Sequence, residues 1–209
     1  MVGVYARTTT VQARPTSIDE GIRIMREDVL PRVQQMEGNV GLSMLADRES
    51  GRCIVTAAWR DENAMHAAAD AVRPLRERMA EVLGAPAAVQ EWEIAVLHRR
   101  KPADAGACAR VSWLRAEPRD IDGGIDTYRT QVLGGLDDLP GFCSASLLVD
   151  RASGRSVSSV AYESRAMLEA SRQGADELRS RTVQQIRAQI LEVAEFELVL
   201  SELRVPETV

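Results

Sequence analysis

The side chains able to do chemistry are few and unevenly placed. There are two histidines, His66 and His98. His66 falls in the first turns of a segment with helical periodicity, where it is either a general base or ligand, or a solvated helix residue. Trp59 and Tyr162 each end a strand-like run. A tryptophan there either walls a pocket between sheet and helices or belongs to the core. The Tyr162 phenol can donate a hydrogen bond to a bound carbonyl or phenolate. Arg7 and Arg110 lie on apolar strand-like runs, so each needs a partner. Glu91/Glu93 and Glu195/Glu197 are the available carboxylates; an anionic ligand is the alternative. Trp113, Tyr128 and Phe142 make the second half the more aromatic, and a bound flat ring is expected there. His66 and Tyr162 are thus the candidate catalytic residues. Arg7, Trp59, Arg110, Trp113, Tyr128 and Phe142 are the candidate pocket.

These residues are positioned by a unit that occurs twice. Asp47-Arg48-Glu49-Ser50-Gly51-Arg52 returns as Asp150-Arg151-Ala152-Ser153-Gly154-Arg155. A shift of about a hundred residues also aligns Ala6-Arg7 with Ala109-Arg110, Ile18-Asp19 with Ile121-Asp122, and Ala58-Trp59 with Ala161-Tyr162. With one extra residue in the second copy, Glu91-Trp92-Glu93 meets Glu195-Phe196-Glu197. Two long copies read as tandem units: residues 1–100, a polar linker at 101–106 (Lys-Pro-Ala-Asp-Ala-Gly), and residues 107–209.

Each copy shows one pattern. Residues 2–12 alternate as a strand. Ile18, Ile22, Met25, Val29 and Val33 share a helical face, with a break expected at Pro31 and at Gly134-Gly135. The strands 40–46 and 53–59 flank the repeated hexapeptide, which reads as a hairpin loop with Gly51 at positive φ. A second helix is expected from about Asp61 to Val82, bent at Pro74. Residues 88–97 form the last strand. The order β-α-β-β-α-β is the ferredoxin-like unit.

Composition narrows the function classes. Acidic (31) and basic (26) residues are mixed along the chain, for a net charge of −5. With no basic stripe carrying aromatics, nucleic acid is not an expected partner. No apolar run is long enough to span a bilayer, so no membrane is expected either. The N-terminus reads as a strand rather than a signal peptide. Cys53, Cys108 and Cys143 are too few and too scattered for a disulfide framework. They read as small buried hydrophobes in a cytoplasmic protein. No metal-ligand spacing and no phosphate- or dinucleotide-binding loop is present, so neither a metal nor another cofactor is expected.

Strands 42–46 and 54–59 are apolar at both parities, so both faces of each sheet want burial. The expected fold is α+β: two ferredoxin-like units packed sheet to sheet as an intramolecular pseudo-dimeric α/β barrel, helices outside. With its D-R-x-S-G-R hairpin, the segment Tyr162-Glu163-Ser164-Arg165-Ala166-Met167-Leu168-Glu169-Ala170 resembles the antibiotic-biosynthesis-monooxygenase-like domains of the dimeric α/β-barrel superfamily. Trp59-Arg60-Asp61-Glu62-Asn63-Ala64-Met65 is its counterpart. The resemblance implies a cofactor-independent monooxygenase acting on an aromatic or polyketide-like molecule. The alternative is a non-catalytic small-molecule or haem-binding, stress-related module with one degenerate half. The family's helix histidine would fall at Ala68, and its haem-degrading members have an asparagine on the first strand, where Thr8 and Thr10 stand here; both departures count against haem degradation. A small apolar or aromatic ligand is the expected partner, and the fused pair could dimerise further.

Overall fold

The computed structural model describes residues 3–204. The first repeat runs β1 (Val4–Gln12), α1 (Ile18–Ile24), α2 (Leu30–Gln34), β2 (Asn39–Ala46), β3 (Arg52–Trp59), α3 (Glu62–Ala67), α4 (Ala69–Leu83) and β4 (Ala87–Arg99). The second runs β5 (Cys108–Arg115), α5 (Ile121–Thr127), α6 (Leu133–Asp137), β6 (Phe142–Asp150), β7 (Arg155–Tyr162), α7 (Arg165–Ala170), α8 (Arg172–Gln185) and β8 (Gln189–Leu203). The hydrogen-bonded strand order β1-β3-β2-β8-β5-β7-β6-β4 closes into a barrel, the α+β architecture expected.

The chain divides into two compact units. Unit 1 holds the residues up to Trp92 and the end of β8 from Leu198; unit 2 holds Glu93–Glu197. In unit 1, β3 pairs antiparallel with both β1 and β2, setting Arg7 opposite Ala57 and Tyr5 opposite Trp59. In unit 2, β7 pairs with β5 and β6, setting Arg110 opposite Val160 and Cys108 opposite Tyr162. Residues two apart along a strand share a face. Arg7 and Trp59, like Arg110 and Tyr162, are therefore diagonal neighbours on one sheet face.

Both hairpin loops close as expected. The Asp47 carboxylate accepts from the Glu49 amide and the Ser50 hydroxyl. Asp150 does the same with Ala152 and Ser153. Gly51 (φ +84°) and Gly154 (φ +71°) take the left-handed conformation.

The first helix differs from expectation. No break occurs at Pro31 or at Gly134-Gly135. The helix instead widens into a π turn, Met25–Val29 in one unit and Tyr128–Val132 in the other, and continues. Proline is not the cause, since unit 2 has Gly134 where unit 1 has Pro31. What the two turns share is a buried pair, Met25 with Val29 and Tyr128 with Val132. The wider turn lets both members face the sheet. The expected single helix from Asp61 is also two, α3 and α4, joined at Ala68; Pro74 is carried inside α4. Asp61 caps α3 through the Ala64 amide at 2.7 Å, and Ser164 caps α7 through the Met167 amide.

Each unit has its own core between sheet and helices. Trp59, Met25, Leu42 and Leu83 are fully covered in unit 1; Tyr162, Ile121, Leu168 and Leu147 anchor unit 2. Burial contributes roughly 1.5–3 kcal/mol for each such large side chain. Cys53, Cys108 and Cys143 are free and buried. Burial pushes the Cys53 thiol up to about 11, so it stays protonated at neutral pH. Among the described residues no helix is long and apolar enough to cross a membrane.

Candidate functional site

Each unit has a cavity between its sheet and its helices, and these two cavities differ in chemistry. The unit 2 cavity is about 90 Å³. Strands supply Arg110, Ser112, Ser156, Ser158 and Tyr162; the π turn supplies Tyr128 and Val132; α8 supplies Leu178, Arg179 and Thr182. The unit 1 cavity is about 50 Å³ and is lined at the matching positions by Arg7, Thr9, Cys53, Val55, Trp59, Met25, Val29, Leu75, Arg76 and Met79.

Laying one lining on the other, by the shift that carries Asp47 onto Asp150, exposes the difference. Met25 becomes Tyr128, Cys53 becomes Ser156, Val55 becomes Ser158, Trp59 becomes Tyr162 and Met79 becomes Thr182. Every one of these exchanges puts a hydroxyl where unit 1 has none. Arg7/Arg110, Val29/Val132, Leu75/Leu178 and Arg76/Arg179 are unchanged. Unit 1 fills its space with methionines and an indole; unit 2 lines its space with oxygen.

The hydroxyls are not equivalent. Tyr128 Oη lies 2.9 Å from Ser158 Oγ, so that pair satisfies itself. Burial pushes the Tyr128 phenol well above its usual range, against which the Ser158 bond works only weakly. Tyr162 is fully buried and its Oη makes no well-formed hydrogen bond, although Ser171 and Arg110 lie close enough to act on it. Ser171 Oγ donates instead to the Leu168 carbonyl at 2.8 Å. Burial raises the Tyr162 phenol too, opposed by Ser171 and by the Arg110 guanidinium. That guanidinium lies 5.6 Å from the Tyr162 ring centroid, within cation–π reach. Both phenols are therefore neutral at pH 7, able to donate a hydrogen bond but not to abstract a proton.

The two arginines are held by glutamates from the last strands. Arg7 donates through Nε (3.0 Å) and Nη2 (2.6 Å) to Glu91 Oε1. Arg110 donates to Glu195 Oε1 at 3.2 and 3.1 Å, to Ser171 Oγ at 3.2 Å and to the Leu168 carbonyl at 2.8 Å. Arg165 and Arg172 also reach Glu195. Of the other carboxylates, Glu93 serves Arg151.

Arg110, Tyr128 and Tyr162 thus converge on one cavity, and Arg7 and Trp59 on the other. The remaining candidates lie elsewhere. His66 is 53% exposed and bonds Glu91 Oε2 at 3.1 Å, away from the cavity lining. Trp113 is on the opposite parity of β5 from Arg110 and meets Phe196 edge to face. Phe142 stacks on His98, which is 20% exposed and bonded to Asp137 at 3.0 Å. Sequence reasoning did not single out Ser112, Ser156, Ser158, Ser171 or Thr182. The signal was available: these are hydroxyls at positions where the first copy, bar Thr9, has Cys53, Val55, Ala68 and Met79.

Haem does not fit the lining. The larger cavity is smaller than the ~150 Å³ apolar cavity that takes benzene, and neither lining contains a histidine. Among the described residues no group of three His, Cys, Asp or Glu side chains is placed to hold a metal ion.

No protein-family model matches the chain. It is 48% identical over 207 residues to the uncharacterized protein Rv2558 of Mycobacterium tuberculosis, covering 99% of this chain and 88% of that one. It is 47% identical over 206 residues to Rv2557 of the same organism, covering 99% and 92%. Solved structures share the fold at low identity. They include a candidate monooxygenase of Fusobacterium nucleatum (10% identical, TM-score 0.73, 97% and 95% of the two chains). An anthrone oxidase-like protein (15%, TM-score 0.66, 100% and 96%) matches as well. A third is a Listeria monocytogenes ferredoxin-fold protein related to antibiotic biosynthesis monooxygenases (9%, TM-score 0.54, 94% and 95%). With 47–48% identity to Rv2557 and Rv2558 over nearly its whole length, the chain belongs to the family of those two mycobacterial proteins, and it shares its fold with the monooxygenase-like structures.

Proposed function

We propose that the chain is a small-molecule protein whose ligand site is the unit 2 cavity, and that its ligand is a compact hydroxyaromatic. The observation that carries this is Tyr162, whose buried hydroxyl has no well-formed hydrogen bond, in the lining of a cavity that Ser156, Ser158 and Tyr128 also line. An unsatisfied buried hydroxyl costs roughly 1–3 kcal/mol, which a ligand oxygen would return. At about 90 Å³ the resting cavity is tighter than the ~150 Å³ that takes benzene, so even one ring enters only as the flexible lining side chains give way. A larger polycycle requires α8 to move outward. In its catalytic form the reading is a cofactor-independent monooxygenase: Tyr162 and the Arg110 charge behind it would favour the phenolate of the substrate, the electron-rich form that reacts with oxygen.

A non-catalytic binder is the second reading, and one observation favours it. The only carboxylate in the lining is Asp120, and both histidines lie outside it. A substrate must then be acidic enough to ionise readily, or use Asp120 as its base.

Both readings are tested with a panel of phenol, catechol, resorcinol and naphthols, following binding by calorimetry and oxygen consumption with an electrode. Binding with oxygen uptake, both reduced by Tyr162→Phe, supports the oxygenase. Binding without uptake leaves the binder. No binding by any member defeats the proposal.

A further inference from the structure

The unit 1 cavity carries its own unmet chemistry. Arg7 Nη1 and Trp59 Nε1 are both buried without a hydrogen-bond partner, and both residues line the same cavity. Arg7 is 6% exposed and Trp59 0%. In unit 2 the matching guanidinium nitrogen, Arg110 Nη1, is satisfied by Ser171 Oγ. The residue in the place of Ser171 is Ala68, which has no acceptor to offer. One missing hydroxyl thus leaves a buried charged donor without its partner, on a residue that lines the cavity.

We infer that the unit 1 cavity is a second binding site, separate from that of unit 2, for the carboxylate of a short-chain aliphatic acid. Guanidinium and indole nitrogens are donors only. The missing partner is therefore an acceptor, and a carboxylate offers two oxygens to the two donors at no cost in unpaired hydrogens. Glu91 neutralises one face of Arg7, but Arg76 lines the same cavity, so the local balance still favours an anion. Much of the remaining wall is aliphatic, including Val11, Val29, Val33 and Leu75, which suits an alkyl tail. The volume of about 50 Å³ limits that tail to a few carbons. Met25 and Met79 are the flexible side chains able to yield to a longer one.

The test uses the full chain, 15N-labelled, and follows the indole Nε1–H resonance of Trp59, assigned by its loss in Trp59→Phe. Acetate, butyrate and hexanoate are titrated, with 1-butanol as the neutral control. The expected result is a saturable shift with butyrate and none with 1-butanol. Ala68→Ser rebuilds the unit 2 arrangement without enlarging the side chain much, and should weaken butyrate by about tenfold. Tyr162→Phe should leave it unchanged, so this site stands or falls apart from that of unit 2. The inference is overturned if no acid moves the resonance, if 1-butanol moves it equally, or if Ala68→Ser binds butyrate as tightly as the parent. It is equally overturned if Tyr162→Phe rather than Ala68→Ser removes the effect.

Discussion

Tyr128 and Met25 begin the same π turn in the two units, and only Tyr128 reaches across its cavity to a hydroxyl, Ser158 Oγ at 2.9 Å. In unit 1 the matching positions hold Met25 and Val55, both in the cavity lining. The backbone is duplicated while the facing side chains have changed together, from an apolar pair to a hydrogen-bonded one. A buried hydroxyl without its partner is costly, so either member changed alone is penalised.

That coupling is measurable. Tyr128→Phe should destabilise by about 1–2 kcal/mol, because it leaves Ser158 Oγ without its bond. Adding Ser158→Val should recover part of that loss. A double-mutant cycle from urea unfolding should return a favourable coupling of about 1 kcal/mol. Strict additivity would mean that the bond contributes nothing.

Tyr162 and Trp59 should separate stability from binding. Tyr162→Phe removes an unsatisfied hydroxyl, so its melting temperature should hold or rise, while affinity for a bound phenol falls about tenfold. Trp59→Phe creates space in a packed wall and should cost about 1–3 kcal/mol, with phenol affinity intact. Calorimetry and thermal melts on the two variants read both quantities.

The glutamates differ in depth. Glu195 is 19% exposed and holds three arginines, including buried Arg110. Glu195→Gln should destabilise by about 3 kcal/mol, since a buried cation loses its counter-charge. Glu91 is 42% exposed, so solvent can reach the guanidinium it leaves, and Glu91→Gln should cost less than Glu195→Gln although Arg7 is itself buried. Burial raises the Glu91 carboxyl, but hydrogen bonds from Arg7 and His66 outweigh that and hold it below its ordinary 4.5. A depressed carboxylate stabilises the fold above its unfolded-state pKa. Its contribution is lost as pH falls below about 4.5 and through the folded value. Unfolding free energies between pH 7 and pH 3 should therefore drop less steeply in Glu91→Gln than in the parent.

The hairpins should respond alike. At Gly51 a Cβ would overlap the Ala13 carbonyl oxygen, and at Gly154 that of Ala116, both at positive φ. Gly51→Ala and Gly154→Ala should each cost about 2 kcal/mol or more by urea unfolding. A neutral result at either position would mean that the loop relaxes freely.

Much of the barrel was legible because repetition doubles every weak signal. The hexapeptide marks both hairpins, and the matched Arg7/Glu91 and Arg110/Glu195 pairs follow from a strand arginine's need for an acid. The π turns were not legible, since the same apolar spacing suits an α-helix and proline suggested a break instead. The serines of β7 carry no such signal, since Ser156-Val157-Ser158-Ser159 on a strand is equally compatible with a face turned to water. Only the direct overlay on Cys53, Ile54, Val55 and Thr56 marks Ser156 and Ser158 as facing a cavity. His66 drew attention as one of two histidines, yet rarity says nothing about which way a helix turns its side chains.

Hydrogen–deuterium exchange on the full chain, with and without the tightest-binding phenol of the panel, tests the central claim most directly. The account predicts added protection in α8 and in the π turn Tyr128–Val132, with α4 and Met25–Val29 unchanged. Equal protection of both units, or protection confined to α4, would contradict the assignment of the ligand to unit 2.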